Sequence, residues 1–117
     1  MYGLGQKKDQ LDEPILALLL RCAEAVHKNY PGARIILYGS QARGEATPES
    51  DVDILILLNS GISSQERNGI HDILYEIGLE HDVAISALIK SIWHWEQPMS
   101  RATSLYQAVQ NEGILVA

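Results

Sequence analysis

The sequence predicts an α/β fold of the α+β kind, a small mixed β-sheet with helices packed on it. Short apolar runs rich in β-branched residues at 33–38, 52–58 and 82–88 have the length and composition of strands. Helical periodicity precedes the first run and fills the interval between the second and third, and turn residues punctuate the joins. Strands alternating with helices in this order give a layered sheet with helices against it.

The elements follow from the amino terminus. Asp12 stands where a helix cap is needed, with Pro14 in the first turn, and the pattern continues to about Lys28. There Asn29-Tyr30-Pro31-Gly32 breaks it. Ala33 to Tyr38 (ARIILY) is a strand that delivers Gly39-Ser40 to a tight turn, and a short helix is expected over Gln41 to Gly44. Asp51-Val52-Asp53-Ile54-Leu55-Ile56-Leu57-Leu58 reads as a second, buried strand with acids at its start. Ser63 or Ser64 caps a helix running from Ser64 to Leu79, and Ile70, Ile73, Leu74 and Ile77 make an i, i+3, i+4, i+7 stripe facing the sheet. Asp82 to Leu88 is expected as the third strand, opened by Asp82, and helices close the chain.

Composition bounds the function. The 117 residues, 46% hydrophobic and 21% charged, suit one domain spanning 1–117 that buries roughly two thirds of its unfolded surface. A net charge of −6 argues against affinity for polymeric nucleic acid, which needs a basic stripe to displace counterions. A single nucleotide differs, because a cation and backbone amides can meet its charge locally. The lone cysteine, Cys22, allows no internal disulfide and suits a reducing compartment, so a cytoplasmic location is expected. Asp9, Asp12, Glu13 and Pro14 separate Lys7 and Lys8 from the apolar Ile15–Leu20 run, which makes a signal peptide unexpected. No apolar run approaches the length of about 20 residues that a membrane span requires.

The stretch from Gly39 to Asp53, GSQARGEATPESDVD, carries the chemistry. Gly39 lets a phosphate approach the backbone closely, and Ser40 can donate its hydroxyl and N–H to phosphate oxygens. Asp51 and Asp53 are two apart on a strand, so they share a face, with Cα atoms about 6.5–7 Å apart. Two carboxylates so close repel unless a cation such as Mg²⁺ joins them, together with phosphate oxygens and water. The plainer alternative is that both acids stay solvated at a strand end while Ser40 caps a helix. Their coupling to the strand-Gly-Ser turn argues against it, since the two elements would meet at the ends of neighbouring strands, where ligands bind such sheets. Asp82, at the start of its strand, could share the metal and take the proton from an attacking hydroxyl.

With these residues in view, the chain resembles the minimal nucleotidyltransferases of the DNA polymerase β-like superfamily, whose pattern is Gly-Ser, ten intervening residues, then Asp-x-Asp. Gln41 to Ser50 fill the interval here, Ala42-Arg43-Gly44 and Ser50 also match, and the closing Glu112-Gly113-Ile114-Leu115 is similar to the family's usual carboxyl end. The resemblance implies a polymerase-β-like fold and transfer of a nucleoside monophosphate from a nucleoside triphosphate, by default ATP, to a hydroxyl. It implies Mg²⁺ on Asp51, Asp53 and Asp82 and the triphosphate on Gly39 and Ser40. Arg43 becomes a further candidate for phosphate contact, or equally a partner of Glu45 or of a site aspartate. Among minimal forms, the resemblance implies an antitoxin that joins a HEPN-type ribonuclease toxin in a hetero-oligomer and adenylylates one of its tyrosines. Two other readings remain: a binder that holds nucleotide or partner without transfer, and a subunit of a small-molecule or nucleic acid nucleotidyltransferase.

Other residues read more plainly. His27, His71, His81 and His94 fit no metal spacing. His81 adjoins Asp82 but is expected on the other sheet face. Trp93 and Trp95 point about 200° apart in a helix and cannot both face one core. Ser91 to Met99, with Leu105, Tyr106 and Val109, is therefore a candidate partner surface.

Overall fold

A computed structural model describes residues 1–117 as a five-stranded mixed sheet with helices on both faces. The elements in chain order are β1 (Tyr2–Gly3), α1 (Leu4–Lys7), a 3₁₀ turn (Lys8–Gln10), α2 (Glu13–Asn29), β2 (Arg34–Tyr38) and α3 (Ser40–Arg43). Then come β3 (Val52–Leu58), α4 (Ser64–Glu80), β4 (Ile85–Ser91), α5 (Ile92–Trp95), α6 (Pro98–Arg101), α7 (Ser104–Glu112) and β5 (Ile114–Leu115). The strand order is β1-β5-β2-β3-β4. β2 and β3 run antiparallel, whereas β3 and β4 are parallel and joined by the crossover helix α4.

β3 is central, and this explains its uninterrupted apolar run: Ile54, Leu55 and Ile56 are all fully buried because both of its faces are covered. On one face Ile35, Leu37, Val52, Ile54, Ile56 and Ile89 meet α2 and α4 in the larger core. On the other, Ile36, Leu55 and Leu57 meet Trp95, Tyr106 and Val109 from α5 and α7. The expected stripe on α4 holds, with Ile70, Leu74 and Ile77 buried and Ile73 packed against them. Ser63 caps that helix: its Oγ accepts from Glu66 N–H at 3.0 Å, and the Glu66 carboxylate accepts from Ser63 N–H at 3.1 Å. Asp12 is the cap residue of α2 but makes no side-chain cap bond. Cys22 is buried in α2, and no helix is long and apolar enough to cross a membrane.

The expected strand at 82–88 is corrected to Ile85–Ser91. The residues before it finish α4 instead: Val83 N–H donates to Gly78 O at 2.9 Å and Asp82 N–H to Leu79 O at 3.2 Å, the paired bonds of a Schellman end. Asp82 takes the left-handed position of that motif, with φ 55°, a place commonly filled by glycine. A side chain at Gly78 would run into Val83 O, so the tight closure requires glycine there. His81 is consequently off the sheet altogether, its Nδ1 bonded to Ile77 O at 2.9 Å. The two-residue strands β1 and β5 lie outside the three strands read from sequence. The expected partner surface divides in two: Trp95 is 2% exposed and stacks near Tyr106, whereas Trp93 is 66% and Met99 87% exposed.

Candidate active site

The antiparallel register sets Tyr38, the last residue of β2, opposite Asp53 near the start of β3. The chain then turns at Gly39, whose φ of 81° and ψ of −158° belong to a region open essentially to glycine alone. A Cβ at Gly39 would collide with a carboxylate oxygen of Asp53. The missing side chain thus lets the Gly39-Ser40 turn lie directly against the acid, and Ser40 begins α3 there. Asp51 sits immediately before β3, exposed, and Asp53 is half-buried.

Electrostatics show the tension in this pair. Burial, and then the charge of Asp51, hold the Asp53 carboxyl above its ordinary range; Arg43 opposes the shift and Glu112 adds to it. Burial, and then the Asp53 charge, likewise raise the Tyr38 phenol. Arg43 projects from α3 and makes both an ion pair with Glu45 at 3.0 Å and one with Glu112 of α7 at 2.9 Å. Its Nε and one Nη are engaged, which leaves the second Nη as the free prong of the guanidinium.

Asp82 does not join Asp51 and Asp53. No group of three His, Cys, Asp or Glu side chains is gathered to hold an ion, because the α4 closure keeps Asp82 in a turn ahead of β4. Asp82 and Asp51 instead line one cleft of about 290 Å³, walled also by Asp12, Gln41 and the Thr47–Ser50 loop. The donor set at Asp51 and Asp53 fits a hard divalent cation that completes its shell with phosphate oxygens and water; it does not fit an all-protein cage. Sequence reasoning missed three residues at this end of the sheet: Tyr38, Glu112 and Ser86, which pairs with Asp53 across β3 and β4. Tyr38 adjoins Gly39 in the chain and could have been noticed. Glu112 and Ser86 arrive only through tertiary pairing.

A β-sheet of this order with a Gly-Ser turn against an Asp-x-Asp strand start defines a nucleotide-handling class, and comparison with known proteins agrees. The chain belongs to the nucleotidyltransferase domain family, whose pattern matches residues 19–115. Two similar proteins of Methanocaldococcus jannaschii are both provisionally named protein adenylyltransferases. One is 38% identical over 85 residues, covering 71% of this chain and 77% of the relative. The other is 36% identical over 69 residues, covering 57% and 64%, so the chain spans somewhat under two thirds of that relative's length. A solved structure described as a toxin-antitoxin with AMP-PNP shares the fold, with a TM-score of 0.57, 19% identity, and coverage of 87% of this chain and 72% of that one.

Proposed function

We propose that the chain transfers AMP from ATP to a protein hydroxyl, a tyrosine of a HEPN-type ribonuclease toxin, and acts as that toxin's antitoxin in the cytoplasm. The observation that carries the reading is the contact of the Gly39 turn with Asp53: it sets a phosphate-accepting backbone beside the two carboxylates that suit a cation. Support for the acceptor class comes from the relatives named as protein adenylyltransferases, and support for the partner from the fold shared with a toxin-antitoxin structure and from the resemblance to minimal nucleotidyltransferases.

In this mechanism Gly39 and Ser40 receive the triphosphate, and the free Nη of Arg43 steadies a phosphate oxygen while Glu45 and Glu112 hold its guanidinium in place. Asp51 and Asp53 are the residues that would hold Mg²⁺, which when bound offsets charge on the attacking and leaving oxygens. The acceptor oxygen attacks the α-phosphorus in line; the new O–P bond forms as the bond to the β-phosphate oxygen breaks, and pyrophosphate leaves. Asp82, which lines one cleft with Asp51, takes the proton of the attacking hydroxyl in this reading.

The test is transfer from α-labelled ATP with Mg²⁺ into a HEPN-type toxin co-expressed with the chain, comparing the native protein with an Asp51→Ala, Asp53→Ala variant. Label on a toxin tyrosine that vanishes in the variant is the expected result. A variant that still neutralises the toxin, with no label in either case, sinks transfer in favour of stoichiometric binding.

A further inference from the structure

Three neighbouring strands contribute one rung to the sheet face that lies opposite α2 and α4. The register sets Tyr38 of β2 against Asp53 of β3, and Asp53 against Ser86 of β4. Residues paired across strands project to the same face, and adjacent strands lie about 4.8 Å apart. Ile85, Ala87 and Ile89 turn into the larger core, so Ser86 must turn the other way, with Tyr38 and Asp53. Ser86 is exposed and its hydroxyl makes no hydrogen bond within the chain. Val52 N–H meets Ala84 O at 2.9 Å, which sets Ala84 level with Asp51 and leaves Asp82 two residues beyond Ala84 and four from Ser86.

We propose that Ser86, rather than Asp82, is the third side chain of the Asp51 and Asp53 site, a neutral hydroxyl left free to bond an oxygen ligand beside the Asp53 carboxylate. The inference rests on the nucleotidyltransferase reading above. Ser86 is a positioning residue in this role, and its neutrality has two consequences. Only two negative charges of the protein face a bound cation, so the site depends on the nucleotide's phosphates to complete it. The rung also offers no base, so the acceptor's proton must leave toward the cleft wall.

Binding of Mn²⁺ in the presence of a non-hydrolysable ATP analogue, followed by electron paramagnetic resonance on the full chain, tests this without any turnover. Ser86→Ala is expected to weaken Mn²⁺ binding about tenfold, the usual scale for loss of a supporting hydroxyl, and Ser86→Thr to restore it. Ser86→Asp adds a third charge to the site and is expected to tighten Mn²⁺ at least about tenfold. Asp82→Asn should leave Mn²⁺ affinity unchanged. In transfer assays at saturating metal and ATP, Ser86→Ala should lower kcat about fivefold, the scale of one neutral hydrogen bond. Ser86 lies on an exposed edge strand, and matching thermal unfolding of the variants establishes that they fold. If Asp82→Asn weakens Mn²⁺ while Ser86→Ala does not, the assignment of Ser86 is overturned and the site reading stands. If the native chain takes up no Mn²⁺ with the analogue, both fall.

Discussion

Replacing Asp53 by asparagine is expected to stabilise the metal-free protein while abolishing transfer. In the native chain Asp53 is half-buried and its carboxyl is pushed up first by burial and then by Asp51, so ionising it costs the folded state energy. At the roughly 7 Å spacing of alternate strand residues, the Asp51–Asp53 repulsion amounts to about 0.6 kcal/mol in bulk water and about 2.4 kcal/mol at an effective dielectric constant near 20. Asp51 is exposed, which favours the lower end, and attraction to Arg43 offsets part of the remainder. A net gain of about 0.5–1 kcal/mol follows for the Asp53→Asn variant, or about 0.3–0.7 M in urea midpoint at a slope near 1.5 kcal/mol/M. With Mg²⁺ and a non-hydrolysable ATP analogue at ten times their joint dissociation constant, the native chain gains about 1.4 kcal/mol and the variant nothing. The order of stabilities therefore inverts between EDTA and Mg²⁺. Urea unfolding followed by tryptophan fluorescence in both media reads it, and an Asp53→Asn variant that is less stable in EDTA, or gains equally from Mg²⁺ and analogue, would refute the reasoning.

Further outcomes follow from other parts of the molecule. Gly39→Ala places a Cβ into the Asp53 carboxylate at a backbone conformation that costs about 1–3 kcal/mol, so both melting temperature and nucleotide affinity should fall, whereas Gly44→Ala, with open space around it, should spare the affinity. Ser63→Ala removes the α4 capping box and is expected to cost about 1 kcal/mol, a drop of about 4 °C by calorimetry, without altering nucleotide affinity. Burial raises the Cys22 thiol from 9.0 to about 11, so its neutral form favours the fold below pH 9 and that contribution is lost as pH rises through 11. Thiol labelling at pH 8 should therefore proceed at the unfolding rate, and fast labelling of the folded chain would contradict the burial. Glu112→Gln releases Arg43 from α7 and should raise KM for ATP severalfold with little change in stability; an unchanged KM would mean that Arg43 does not touch phosphate.

Much of this protein is written locally. The apolar run 52–58 reads as a buried strand, the α4 stripe with Ser63 or Ser64 before it as a capped amphipathic helix, and Gly39-Ser40 ahead of Asp51 and Asp53 as the candidate site. Each of these signals lies within a few residues of the structure it specifies, because hydrophobic period and turn chemistry act at short range. Asp82 shows where local reading fails: an aspartate before an apolar run looks like a strand opening, but the closure of α4 onto Gly78 claims it as a left-handed turn residue. Which side chains stand beside Asp53 is a question of register between strands distant in sequence, and Tyr38 and Ser86 reach it only when β2, β3 and β4 align. The same holds for Glu112, which meets Arg43 from the far end of the chain. Sequence alone thus determined the main helices, two of the strands, the family pattern and two candidate acids; the tertiary structure decided the bounds of β4, the short strands β1 and β5 and the candidate site's remaining neighbours, since sheet register is set by packing across the whole core.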